Sequence, residues 1–401
     1  MRIVHVASWY VPGLDYDENC LPLEQARMGH EVNLLTSDRV PSLLRATSHF
    51  RQLYPNGKFE SGKLERGPLR IVRHKSLPEV YGQVFLLGLM KSIRELDPDI
   101  VHCHGALTPS AAICVFLKPQ LCYKLLIDDH SHLHLTKLDN PTKRIYVKGF
   151  SWLYRSKDAS IAAFLPVTAA SQQFLSHRLG VQSGKIIRLG LGVDTAIFKH
   201  SDAKRAETRK DLGITEDAKL IVTAGKFRRQ KEIRILLEGV ARANPGAADV
   251  RLMLIGDASP ADMALLHSHV ANLNLEGKVL FHPFADRNLL SRLFCAADIG
   301  VWPGEPSVTV FGALASGLPC ILPDDEEAYD LVRLSGAAAF FEAGNSKDLA
   351  DVLMTVASNP PLARRLVSNA IDLVETKLAW RAVAERTLEV YKEVISSPEA
   401  E

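Results

Sequence analysis

The chain has no stretch approaching the roughly 18 uninterrupted apolar residues that a membrane-spanning helix needs. Its opening run, Met1-Arg2-Ile3-Val4-His5-Val6-Ala7-Ser8, is too short for a signal peptide and reads as a first strand. Cysteine is sparse. Cys20, Cys103, Cys114, Cys122, Cys295 and Cys320 are scattered through apolar or strand-like settings with no C-x-x-C. They read as small buried hydrophobes in a reducing compartment, so the cytoplasm is the expected location. Net charge is nearly absent too, and a balance of +2 by itself decides nothing about nucleic acid. No G-x-G-x-x-G follows the first strand of either half, which counts against a dinucleotide-dependent oxidoreductase.

What is present is a soluble globular composition, 47% hydrophobic and 23% charged over 401 residues. That length predicts two domains of about 200 residues each. Residues 2–8 form a strand, Trp9–Asn19 a turn region, Glu18–Met28 a helix stopped by Gly29, and Glu31–Ser37 a second strand. The polar, poorly periodic region 39–69 reads as a long loop near the site. The rhythm resumes with strand Leu69–Arg73, helix Val80–Leu96 and strand Asp99–Gly105. Helix 108–118, strand Lys124–His130, helix 142–157 and strand 159–167 follow. The Gly-rich segment Ile186–Ala203 carries the domain boundary. Strands then recur at Lys219–Gly225, Arg251–Gly256, Lys278–Phe281, Ile299–Trp302, Cys320–Pro323 and Ala337–Phe341, and the chain is helical from about Lys347. Strands alternating with helices predict an α/β fold of two Rossmann-like, doubly wound domains facing across a cleft.

The stretch Gly304–Pro319 organises the second half. It follows the apolar run Ala297–Trp302 and stops at Gly317 and Pro319, so it reads as strand, tight turn and short helix. The turn delivers Glu305 to the carboxyl end of a parallel strand, where open α/β sheets bind ligands. A helix beginning near Ser307 would offer unpaired N–H groups to an anion. Gly225-Lys226-Phe227-Arg228-Arg229-Gln230-Lys231 places four cations in six residues after another strand. They suit a diphosphate, or equally a solvated basic loop. His102 and His104 share a strand face, and His130, His132 and His134 repeat the alternation. No Cys, Asp or Glu supplies a fixed metal-ligand spacing, so a single histidine touching substrate fits better than a metal. His130, beside Asp128 and Asp129, is that candidate. The stretch Thr142–Arg155 interleaves cations and aromatics. It reads first as a helix with a basic outer face, and second as a docking face for an anionic membrane.

Assembled in order, these residues resemble the GT-B glycosyltransferases, and within them retaining family 4, the glycosyl transferases group 1. Ile3–Tyr10 with Pro12-Gly13, Glu24 and Gly29-His30-Glu31-Val32 are similar to the family's first strand, glycine-bearing loop and helix. Pro98–Gly105, then Val167–Ser171 with Gly192-Val193-Asp194 and Phe198, are similar to its later landmarks. The resemblance runs nearly end to end. It implies an acceptor-binding domain at 1–190, a donor-binding domain at 191–375, and a C-terminal helix, 376–401, packing back on the first.

By position, the resemblance gives Lys226 the place of a diphosphate-binding arginine and Lys231 that of its lysine partner. His130 falls where the family has a histidine near the donor sugar. Glu305 is similar to the first glutamate of its paired-glutamate motif. Gly13, Ser307, Val308 and Thr309 would contribute backbone to the phosphates. Lysine at 226 keeps the charge but loses the bidentate fork. The second glutamate, which holds ribose hydroxyls in the family, is replaced here by Gly312, and Glu305 stands one residue closer than the commonest spacing. A lost charged hydrogen bond to ribose would cost about 1.5–3 kcal/mol. Another group holds the ribose, donor binding is weak, or the protein is degenerate, in that order.

The resulting expectation is a retaining transferase moving a hexose from a nucleotide diphosphate-sugar to a sugar hydroxyl of a glycan or lipid-linked acceptor, in polysaccharide or glycolipid assembly. Glu305, His130 and Lys231 would be catalytic. Cofactors are not expected, nor a metal if Lys226 and Lys231 carry the phosphate charge. Partners would be donor and acceptor, with peripheral contact on the inner membrane face and no nucleic acid. The alternatives are a nucleotide-sugar epimerase or hydrolase of the same fold, and a catalytically lapsed binding protein.

Overall fold

The structure, a computed structural model, describes residues 1–14, 16–45, 48–80, 82–131, 140–243, 250–305, 307–324 and 329–397. The chain divides into two compact units. One comprises Met1–Gly192 together with Trp380–Glu401, the other Val193–Ala379.

Unit 1 begins with β1 (Arg2–Ala7), α1 (Asp17–Arg27), β2 (Glu31–Ser37), α2 (Ser42–Arg45), α3 (Ser48–Leu53), β3 (Gly62–Arg66) and β4 (Leu69–His74). It continues with α4 (Leu89–Leu96), β5 (Ile100–His104), α5 (Pro109–Leu117), β6 (Lys124–Asp129), α6 (Pro141–Ser156), β7 (Ala163–Pro166) and α7 (Ala169–Phe174). Among the described residues these strands form a seven-stranded sheet in the order β3-β4-β2-β1-β5-β6-β7, parallel except for β3. The strands are nearly continuous apolar runs because helices cover both faces. Val4, Val101 and Ile127 pack into one core cluster, and Ile3, Ile100 and Leu126 into another. Helix starts follow local chemistry. Thr108 accepts from the Ala111 N–H at 3.1 Å ahead of Pro109, and Asn140 accepts from the Thr142 N–H at 2.9 Å ahead of Pro141. Both pairs are an N-cap followed by a first-turn proline.

Unit 2 begins with α8 (Asp202–Asp211), β8 (Lys219–Ala224), α9 (Ile233–Ala243), β9 (Val250–Ile255), α10 (Pro260–Asn272), β10 (Val279–His282) and α11 (Arg287–Ala296). Then come β11 (Ile299–Val301), α12 (Thr309–Ala315), β12 (Cys320–Pro323), α13 (Asp330–Leu334), β13 (Ala338–Phe341), α14 (Ser346–Ser358) and α15 (Pro360–Leu373). Its sheet is parallel, in the order β10-β9-β8-β11-β12-β13. The last helix, α16 (Trp380–Ser396), belongs to unit 1 and packs on α1. Each sheet therefore reverses direction once, between β1 and β5 in unit 1 and between β8 and β11 in unit 2. Ligands bind beyond the carboxyl ends of the strands at such switch points.

Several expectations need correction. The region 39–69 is not a bare loop: it holds α2, α3 and β3. The segment 80–96 is helical only from Leu89, because Gly82 and Gly88 adopt φ of 74° and 83°. The last strand of unit 1 is β7, shorter than residues 159–167. Five cysteines are buried, but Cys122 is exposed. Among the described residues no helix is long and apolar enough to cross a membrane.

Candidate active site

In unit 2 the turns after β8 and β11 lie side by side at the switch point. The Glu305 N–H donates to the Gln230 carbonyl at 2.8 Å, and Lys231 Nζ donates back to the Glu305 carbonyl at 2.8 Å. The Lys231 ammonium is also 3.8 Å from the Glu305 carboxylate. Glycines permit this approach. A Cβ on Gly304 would stand 2.4 Å from the Gln230 oxygen, and one on Gly256 would stand 1.8 Å from the Gly225 oxygen. Trp302 Nε1 and Thr309 Oγ1 both donate to the Ala224 carbonyl, at 3.0 and 2.9 Å, tying the start of α12 to the end of β8.

Lys226 and Lys231 are half-buried in this corner. Burial lowers the pKa of both, with Arg228 adding to the effect on each and Glu305 opposing it at Lys231. A partly desolvated cation attracts an anion more strongly than a surface lysine does. The structure thus brings Lys231 and Glu305 together, whereas Lys226, earlier on the same turn, has Arg228 and Asp257 as its charged neighbours. It treats the helix start differently. Helix α12 begins at Thr309 rather than Ser307, and the Ser307 N–H donates to the Tyr329 hydroxyl at 3.2 Å. Ser307 Oγ lies 2.8 Å from Thr309 Oγ1, and Val308 is exposed. Pro306 lies outside the described residues. Gly312 is buried, and a Cβ there would meet the Phe198 ring at 3.0 Å. A glutamate side chain would have to displace that ring.

Unit 1 has its own cluster at its switch point. His5 on β1 sits in register with His102 on β5. With His104, the three rings stack at centroid distances of 4.8 to 5.2 Å. Carboxylates surround them. His104 Nδ1 is 2.5 Å from Asp128 Oδ2 and 3.2 Å from Asp17 Oδ2, and His130 Nε2 is 3.1 Å from Asp17 Oδ2. His102 Nδ1 meets the Tyr391 hydroxyl at 2.5 Å, and His5 Nε2 meets Gln25 Oε1 at 2.8 Å.

These contacts assign the protons. Burial lowers His5 and His102, which remain neutral. Burial opposes charge on His104 as well, but Asp128 and Asp17 hold it well above its usual value. Against the same penalty, Asp17 raises His130 to about 10. Asp17 and Asp128 fall below the usual carboxylate range despite burial, chiefly through His130 and His104 respectively. Two imidazolium–carboxylate pairs result. His130 is therefore a cation at neutral pH, with its Nδ1 side lacking a partner among the described residues. It can donate a hydrogen bond to a substrate oxygen, but it cannot serve as a base.

Sequence reasoning set Asp128 and Asp129 beside His130 but found no fixed metal-ligand spacing among the histidines and carboxylates; the fold supplies that proximity across strands instead. His102, His104 and Asp128, and separately Asp17, Asp128 and His130, each converge within 4.8 Å, close enough to hold a metal ion. His5, Asp17, Gln25 and Tyr391 were missed. A histidine inside each of two apolar strand runs was the available signal. His132 and His134 lie outside the described residues. Gly13 is in unit 1, exposed on the turn after β1, with φ of 83°.

Two family profiles match the chain. Glycosyltransferase Family 4 covers residues 23–197, and Glycosyl transferases group 1 covers residues 204–373. The chain belongs to this glycosyltransferase family. The glycosyltransferase is 25% identical over 396 residues to D-inositol 3-phosphate glycosyltransferase of Thermomonospora curvata, covering 91% of this chain and 87% of that one. Among solved structures, Anabaena HepE in complex with UDP superposes with a TM-score of 0.73 at 16% identity, covering 98% of this chain and all of that one. Sucrose-phosphate synthase from Thermosynechococcus elongatus gives 0.72 at 17% identity, covering 99% and 100%. The enzyme has the GT-B fold, with two Rossmann-like parallel-sheet domains.

Proposed function

We propose that this glycosyltransferase is a retaining hexosyltransferase whose donor is a nucleotide diphosphate-sugar bound by unit 2 and whose acceptor is a sugar hydroxyl bound by unit 1. The observation that carries the donor assignment is the Lys231 ammonium bonded to the Glu305 carbonyl at the switch point of unit 2, with half-buried Lys226 earlier on the same turn. In transfer, the bond from the anomeric carbon to the diphosphate oxygen breaks, and a bond to the acceptor oxygen forms. The acceptor proton leaves with the diphosphate. The two ammonium groups stabilise negative charge as it develops on that leaving group. Glu305 accepts hydrogen bonds from hydroxyls of the transferred sugar. His130, held as an imidazolium by Asp17, donates to a sugar oxygen. Retention rests on the resemblance to family 4. HepE was solved with UDP and with UDP-glucose, so uridine donors are the first to try. Lys226 and Lys231 supply the phosphate charge, and this reading assigns no cofactor or metal.

A thermal-shift panel of UDP, GDP, ADP and dTDP with their sugar conjugates, in EDTA, tests the donor. One base at 100 times its dissociation constant should stabilise the protein by about 2.7 kcal/mol. Glu305→Gln should keep that shift while transfer falls about 100-fold or more. No shift with any nucleotide, or full transfer by Glu305→Gln, would overturn the assignment.

A further inference from the structure

The ribose of a nucleotide donor needs a group that takes its hydroxyls, and helix α12 does not supply one. Gly312 has no side chain, and a Cβ added there would meet the Phe198 ring at 3.0 Å. A carboxylate suits a vicinal diol, because its two oxygens can accept from two O–H groups at once. The carboxylates just past the carboxyl ends of the unit 2 strands are mostly engaged. After β10, Asp286 accepts from the Leu289 N–H at 2.9 Å. After β12, Asp324 pairs with Arg333, and after β13 the Asn345 amide donates to Glu342 at 2.7 Å. Glu305, after β11, faces Lys231. Two remain whose carboxylates take no hydrogen bond or ion pair among the described residues, Glu232 and Asp257.

Asp257 stands where a nucleotide laid on this sheet would put its ribose. The order β10-β9-β8-β11-β12-β13 is the 3-2-1-4-5-6 order of the doubly wound nucleotide-binding fold, with β8 as first strand. On the reading above, the basic turn after β8 takes the diphosphate and Glu305, on the β11 side, takes the transferred sugar. The nucleoside then leaves on the opposite side, over β9. Asp257 lies two residues past the end of β9, and neighbouring strands are about 4.8 Å apart. Backbone bonds fix its place. The Gly225 N–H donates to the Ile255 carbonyl at 3.0 Å, the Phe227 N–H to the Asp257 carbonyl at 2.9 Å, and the Gly256 N–H to the His282 carbonyl at 2.9 Å. The carboxylate is half-buried, and its charge acts on Lys226. Glu232 instead follows Lys231 directly, on the connection into α9, and so belongs to the diphosphate turn itself.

We propose that Asp257 holds the ribose of the donor, its two carboxylate oxygens accepting hydrogen bonds from the 2′- and 3′-hydroxyls in place of a glutamate at position 312. The inference rests on unit 2 being the donor side and adds the group that recognises the nucleoside. It makes the site selective for ribonucleotides without any carboxylate on α12. Charge gives it a second signature. A carboxylate close to a bound diphosphate repels it, so Asp257 favours binding only when the two hydroxyls are there to be held.

The test is calorimetric titration of the full chain, in EDTA, with UDP, ADP and GDP and with the 2′-deoxy and 3′-deoxy form of each. The ribonucleotide of the preferred base should bind at least tenfold more tightly than either deoxy form, the factor expected of a hydrogen bond to a charged acceptor. In Asp257→Ala the ribonucleotide should weaken to within about threefold of the deoxy forms. The deoxy forms should bind that variant no more weakly than they bind the wild type. Asp257→Asn, of nearly the same shape, should fall between, and Glu232→Gln should keep the full ratio. Equal binding of ribo and deoxy forms by the wild type overturns the proposal and leaves the donor assignment standing. Equal weakening of both forms by Asp257→Ala does the same, as does a ratio that vanishes in Glu232→Gln instead. A loss confined to GDP, whatever its hydroxyls, also overturns it, since the carboxylate would then be reading guanine. If no nucleotide binds the wild type, the donor assignment fails and this inference fails with it.

Discussion

His130 is charged because Asp17 is placed to hold it, and that pairing links stability to pH. The ring's pKa is about 10 in the folded protein, against 6.5 for a free histidine. The folded state binds the proton more tightly. The stabilisation is therefore complete below about pH 6.5 and drains away as pH climbs through 10. The ring is 40% exposed, so solvent screens the pair and the dependence is shallower than the displacement alone implies. Asp17 acts in the opposite sense. Its carboxyl is held low, so its contribution is present above pH 4 and disappears in acid. His130→Gln should melt below the wild type at pH 7, and the two midpoints should converge as pH approaches 10. Scanning calorimetry across pH 6 to 10 reads this directly. Parallel curves would mean that the ring carries no charge in the folded state.

At the scale of elements, the donor corner depends on two turns touching through backbone. Gly304 makes the contact possible, because a methyl group there would press on the Gln230 oxygen and on the Lys231 carbonyl carbon at 2.4 and 2.8 Å. Neither atom belongs to a flexible side chain. Gly304→Ala should therefore separate the turns, break the Glu305 N–H bond to Gln230 and move the Lys231 ammonium. Overcrowding of this kind costs about 1–3 kcal/mol, small enough to leave the sheet of unit 2 folded. Nucleotide affinity by calorimetry should fall at least tenfold while the melting midpoint drops by a few degrees. An unchanged affinity would show that the contact between the turns does not matter. This corner was largely legible in the sequence, since Lys226, Lys231 and Glu305 follow apolar runs that had to be buried parallel strands. The histidine–carboxylate cluster was not. Asp17 reaches His104 from 87 residues away, and Tyr391 reaches His102 from 289 residues away. Only the strand order, with β1 beside β5, brings the first pair together. Strand β3 escaped notice for a different reason: it is an antiparallel edge strand, and its polar, mostly exposed residues carry no apolar alternation. The segment before Leu89 misled through its apolar content, Val84-Phe85-Leu86-Leu87, of which Val84 and Leu86 join a main core cluster of unit 1 and Val84 and Phe85 line a cavity, without forming a helix.

At the scale of the whole molecule, unit 1 is assembled from two distant pieces of chain. Helix α16 is its last piece. It inserts Trp380, Val383, Leu388, Val390 and Tyr391, all buried, into core clusters otherwise built from the first 192 residues. The fit is close at the junction, where a Cβ on Gly192 would stand 2.3 Å from the Trp380 ring. Burying each such side chain contributes about 1.5–3 kcal/mol. Five of them amount to roughly 10 kcal/mol, comparable with the entire net stability of a typical domain, about 5–15 kcal/mol. Truncation after Ala379 also removes the hydroxyl that His102 contacts. Unit 2, Val193–Ala379, has its own sheet and its own core and loses none of its residues. The truncated chain should therefore lose the cooperative melting of unit 1 and all transfer activity. It should still give the thermal shift of unit 2 with the preferred nucleotide. Differential scanning calorimetry with and without nucleotide separates the two transitions. Survival of both would mean that α16 is dispensable to the core it fills, and loss of both would mean that the units cannot fold independently.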